Sequence, residues 1–188
     1  MSWTEVYRVK DRPLARKEAQ GMSVVAIETQ KTSANPLDVI EEVVLANEWP
    51  CDRASDDELL VEIQGRWCDY RVYFVWQPEF GTLQFTCQFD MKVPAGRRSQ
   101  VNELLATVNN RLWLGHFDVE PDEHTPMFRH TLLLRGTRGI SVEQIEDLME
   151  AALTESERYY PAFQFVVWGG KTAQEAVEAA ILETVGEA

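Results

Sequence analysis

Apolar and polar residues alternate most regularly between Trp67 and Val93. Cys68, Tyr70, Val72, Phe74 and Trp76 hold the even positions of the first half, and Leu83, Phe85, Cys87, Phe89 and Met91 the odd positions of the second. Period-2 alternation marks strands with one buried face. A four-residue loop, Pro78-Glu79-Phe80-Gly81, would pair Gln77 with Thr82, Phe74 with Phe85 and Val72 with Cys87. That register sets both apolar rows on one side of a sheet, as a hairpin over a core requires. The opposite face carries Trp67, Asp69, Arg71, Tyr73 and Val75, a mixture of charge and aromatic area.

The rest of the chain falls into order around this hairpin. Residues 1–34 lack a clean period and are broken by Pro13 and Gly21, which predicts an arm, partly flexible, outside the main domain of residues 35–188. Asn35-Pro36 reads as a helix start, with Leu37, Ile40 and Val44 as its apolar stripe and Trp49-Pro50 as its end. Cys51 to Asp57 reads as a polar connection before a strand at Glu58 to Gln64. Val101, Leu104, Leu105, Val108 and Leu112 share one face of a helix over about Arg97–Leu114, stopped by Gly115. Short strands follow at His116–Glu120 and Met127–Arg135. Ser141-Val142-Glu143-Gln144 and Thr172-Ala173-Gln174-Glu175 are capping boxes that open two helices. Pro161 is expected to interrupt the first, leaving the run around Phe163 to Trp168 undecided between states. The order α-β-β-β-α-β-β-α-α predicts an α+β fold with a largely antiparallel sheet of about five strands.

Charge narrows the function classes. Lys and Arg number 18 against 31 Asp and Glu, a net −13, which argues against nucleic acid as a partner. The first twenty residues hold five basic against three acidic side chains, whereas Ser141 onward holds ten acidic against two basic. A solvated acidic helical surface accounts for the latter, and a docking surface for a basic segment is the competing reading. Three cysteines without C-x-x-C spacing read as reduced thiols, Cys68 and Cys87 as small buried hydrophobes. No run approaches the ~20 apolar residues of a membrane span, and the N-terminus lacks the apolar core of a signal peptide. The expected location is the cytoplasm.

Candidate chemistry is sparse. Gly170-Lys171-Thr172 resembles the tail of a phosphate-binding loop, but Phe165 stands where its first glycine belongs. His116, Asp118, Glu120, Asp122, Glu123 and His124 crowd together, and His116, Glu120 and His124 are conceivable metal ligands. Pro121 breaks the strand before a third ligand is fixed, so a polar edge strand and acidic turn is the plainer reading. As a calcium loop the segment fails at Glu123, where glycine is needed. His130 lies in phase with Phe128 and Leu132, as a core-edge histidine does, and Arg97-Arg98 at a helix start offers an anion or partner contact, or a solvated pair. No catalytic set and no cofactor motif is complete. Trp49, Trp67, Trp76, Trp113 and Trp168, with Tyr159, Tyr160, Phe163 and Phe165, are more aromatics than one helix stripe and one sheet face need. Core packing and interface contact both use such residues.

Several stretches resemble the YbjN family. They are Asn35-Pro36-Leu37-Asp38-Val39-Ile40-Glu41-Glu42, Gly65-Arg66-Trp67, Arg111-Leu112-Trp113-Leu114-Gly115-His116-Phe117-Asp118, Phe128-Arg129-His130 with Leu132-Leu133-Leu134-Arg135-Gly136, and Tyr160-Pro161-Ala162-Phe163-Gln164-Phe165 running into Trp168-Gly169-Gly170-Lys171. The pattern is similar to the family's alphaproteobacterial branch. The resemblance implies a fold like the type III secretion chaperones, often dimeric, and a regulatory role without established catalytic residues. The expectation is therefore a non-enzymatic regulator or chaperone-like adaptor, a homodimer that binds a protein partner through Trp67, Arg71, Tyr73, Trp113 and Trp168. The competing expectation is a small-molecule binder or enzyme with a pocket between sheet and helices.

Overall fold

The structure, a computed structural model, describes residues 35–185, so the expected arm at 1–34 lies outside the described residues. Asn35 caps helix α1 (Pro36–Ala46), its side chain accepting from the Leu37 N–H at 3.0 Å. Strands β1 (Cys51–Ser55), β2 (Glu58–Gln64), β3 (Asp69–Gln77) and β4 (Thr82–Gln88) follow. A single 3-10 turn, Ala95–Arg97, leads into helix α2 (Arg98–Asn109). Strands β5 (His116–Val119) and β6 (Pro126–Leu133) precede helices α3 (Val142–Val167) and α4 (Ala173–Val185). The strands form one sheet in the order β1-β2-β3-β4-β6-β5, antiparallel throughout. The class is α+β, as expected, with six strands rather than about five.

The hairpin register is the expected one: Gln77 pairs with Thr82, Phe74 with Phe85, and Val72 with Cys87. Helix α1 packs over β1 to β3, α3 crosses β4 and β6, α2 flanks β5, and α4 rests on α2 and α3. Between them, Phe89 is an aromatic hub, with ring centroids 5.7 Å from Tyr70, 5.9 Å from Phe117, 5.2 Å from Tyr160 and 5.4 Å from Phe163. Edge-to-face geometry recurs through this cluster, the arrangement the ring quadrupoles favour. Most of the aromatic excess is therefore core: Trp76, Tyr159, Tyr160 and Phe163 are buried, and Trp49, Trp67 and Phe165 pack partly buried against that core.

Four expectations are corrected. The segment after Pro50 is a strand, β1, because its peptides pair with β2 even though its side chains are polar. Strand pairing itself starts at Asp69 and stops at Gln88, while Phe89, Met91 and Val93 stay buried beyond the ladder. Helix α2 ends at Asn109, five residues before Leu114, because the Asn109 carboxamide turns away to strand β5. Its Oδ1 accepts from the Phe117 N–H at 2.7 Å and its Nδ2 donates to the Phe117 carbonyl at 3.0 Å. The last correction is the largest. Helix α3 runs unbroken for 26 residues through Pro161. A mid-helix proline cannot donate to the carbonyl four residues back, here that of Glu157. The Trp67 indole N–H donates to that carbonyl instead, at 3.0 Å.

Candidate functional site

The Gly65-Arg66-Trp67 turn is latched to the middle of α3. Beside the indole bond, the Arg66 N–H donates to Glu157 Oε1 at 2.8 Å, and the Arg66 guanidinium lies 4.6 Å above the Trp67 ring centre. A side chain at Gly65 would run into the Tyr70 ring and the Glu157 carboxylate, so only glycine lets the turn approach. This latch borders a groove of about 740 Å³ lined by Arg66, Trp67, Leu153, Glu157, Tyr159 and Ile181. Behind it burial raises the Tyr70 hydroxyl, with Cys68 and Glu157 adding to the shift. Burial likewise pushes Cys68 up to about 11, Cys87 up to about 12 and Tyr160 up to about 12. At neutral pH both thiols stay protonated, and a thiol is a poor nucleophile.

The other nominated residues are spread over the molecule. On the far face of the sheet Asp69 and Arg71 are exposed and Tyr73 is half-buried, while Val75, Thr86, Gln88 and Met127 are buried. Trp113, just past the end of α2, is 76% exposed, and Trp168, at the end of α3, is 61% exposed. Trp168 lies near the opposite end of α2, because Gly170 sits against the Arg97 guanidinium. Helix α2, twelve residues or about 18 Å long, runs between these two ends. Lys171 next to Trp168 stacks on Phe165, 4.2 Å above the ring centre.

His116, Glu120 and His124 do not converge. Among the described residues no group of three or more His, Cys, Asp or Glu is placed to hold a metal ion. His116 is exposed on β5, whereas Glu120 is buried at the end of the strand. Glu120 closes the turn that follows: its N–H donates to the Thr125 carbonyl, its carbonyl accepts from His124, and its Oε2 accepts from the Glu123 N–H. His124 adopts a left-handed φ of 60° and its ring meets the Arg98 guanidinium. Burial, then the nearby His116, pulls His130 below the ordinary histidine value.

Sequence reasoning missed Glu157 and Asn109. The signal for Glu157 was its place four residues before Pro161; for Asn109 nothing local distinguished it from Asn110 beside it. None of the described helices is long and apolar enough to cross a membrane.

Comparison with solved structures finds the crystal structure of YbjN, "a putative transcription regulator from E. coli", at 11% identity and a TM-score of 0.45, over 80% of this chain and 91% of that one. No curated protein matches. The profile of one family, described as "Putative bacterial sensory transduction regulator", matches residues 36–165, more than half of the chain. The chain belongs to the YbjN family.

Proposed function

We propose that this chain is a non-enzymatic regulator that works by holding another protein, as a cytoplasmic homodimer or adaptor. Residues 35–188 are the working domain in this reading, with 1–34 as its arm. The regulatory part accords with the family description. The observation that carries the binding part is the exposure of Trp113 and Trp168, at 76% and 61%, in a fold that buries most of its other large aromatics. A tryptophan left in water forgoes the burial of about 150–250 Å², and tryptophan is among the residues that dominate binding energy when a partner covers it.

The test places a photoactivatable phenylalanine analogue at position 113 or 168 of the full chain, together with a mass measurement by light scattering. A dimer mass and a discrete adduct with one defined protein, lost when the other indole is changed to alanine, are expected. A strictly monomeric chain that forms no adduct at either position overturns the reading.

A further inference from the structure

A second cavity, of about 220 Å³, lies between the start of α2 and the end of β5. Its apolar walls include Val93, Val101 and Val119, and its polar ones include Arg98, Glu120 and His124. Its two charged residues do not pair with each other, Arg98 being exposed at the rim and Glu120 buried. Glu120 is 1% exposed, with Oε2 taken by the Glu123 N–H and Oε1 without a hydrogen-bond partner among the described residues. A buried acceptor in that condition costs about 1–3 kcal/mol, more when charged. Arg98 opens a helix that has no acidic residue in its first turn and no side-chain cap, where its charge opposes the helix dipole. Its guanidinium meets the His124 ring, and it makes no ion pair among the described residues. Opposite charges thus stand on one cavity without neutralising each other.

We infer that this cavity binds a small zwitterion of the aliphatic α-amino acid class. The ligand's ammonium would go to Glu120 Oε1, its carboxylate to Arg98, and its aliphatic side chain to the valine walls. The volume corresponds to roughly seven waters, the scale of a small aliphatic amino acid. A metal ion is a poor fit, because no three ligating side chains converge. A simple anion is a poor fit too, since buried Glu120 repels it. Glu120 Oε1 is shut off from solvent. The ammonium would therefore reach it only with movement of the cavity lining, which includes Pro121 and His124. This site is separate from Trp113 and Trp168 and would give the regulator a small-molecule input.

The experiment titrates the full chain with L-leucine and L-valine by calorimetry and thermal shift. It adds isocaproate and isoamylamine, which lack the ammonium and the carboxylate respectively, and inorganic phosphate and zinc as controls. A saturable shift with the amino acids, weakened about tenfold or more by loss of either ligand charge, is expected. Arg98→Met and Glu120→Gln should each cost a similar factor, and the glutamine oxygen can still accept from Glu123. If Glu120→Gln does not fold, Arg98→Met and the two analogues decide. The inference is overturned if neither amino acid binds the folded chain, if isocaproate, phosphate or zinc does as well, or if Arg98→Met binds as the parent does. None of those failures touches the partner-binding reading.

Discussion

The β3–β4 hairpin and helix α3 make the same core and are specified in different ways. In the hairpin every choice is local. Alternation fixes the buried face, and the short Pro78–Gly81 loop, with Gly81 at a φ of 61°, fixes the register. In α3 the local signals conflict, because Ser141 and Gln144 start the helix by a reciprocal capping box and Pro161 acts to end it. The conflict is resolved from outside, by a bond from Trp67, 90 residues away. A pattern inside one element can be decisive, then, until a single backbone group finds its partner elsewhere.

Truncating the hub where the two regions meet has the largest expected effect. Phe89→Ala removes the ring that joins Tyr70 to Tyr160 and Phe163, and should cost about 3–5 kcal/mol in chemical denaturation. Trp67→Phe keeps the packing and deletes the indole donor, for about 1–2 kcal/mol. In a Pro161→Ala background, where residue 161 can donate to Glu157 itself, that cost should shrink toward zero. An additive double-mutant cycle would break the assignment of the rescue to Trp67. Gly81→Ala forces a side chain into the left-handed region and against Arg135 just past β6, for about 1–2 kcal/mol.

A smaller effect belongs to His130, which pairs across β4 with Phe85. Its folded pKa lies below its unfolded value of 6.5, so the unfolded chain binds more protons in that window. Stability is therefore held above about pH 6.5 and declines as pH falls below it. His130→Gln should flatten that slope in melting curves recorded at a series of pH values. Smallest of all, Trp113→Ala and Trp168→Ala should leave stability within about 0.5 kcal/mol, as changes at largely exposed side chains do.

How much of this was legible follows the same division. The hairpin, the apolar faces of α1 and α2 and both capping boxes are periodic or short-range, and they read directly. Strand β1 did not, because Cys-Asp-Arg-Ala-Ser neither alternates cleanly nor buries much; it is held by its ladder and by Arg53, which reaches Asp38 at 2.9 Å and Glu41 at 2.8 Å. The end of α2 did not, because Leu112 continues the helical spacing while Asn109 has already left for Phe117. Arg98 and Glu120 line one cavity although the chain separates them by a helix, a turn and a strand. Only packing could bring them together.

The Asn109 carboxamide has a consequence for how these molecules meet in concentrated solution. An open sheet ends in strands whose outward peptides can template another chain. At β5 the outward N–H and C=O of Phe117 are already filled by a side-chain amide that imitates one peptide of a neighbouring strand. At the other margin β1 is five residues long with an irregular register, which also discourages addition. Fibrous growth by stacking sheet on sheet edge is thereby disfavoured. Recognition of a second molecule is thereby shifted from the sheet margins toward side chains, where the choice of partner can be selective.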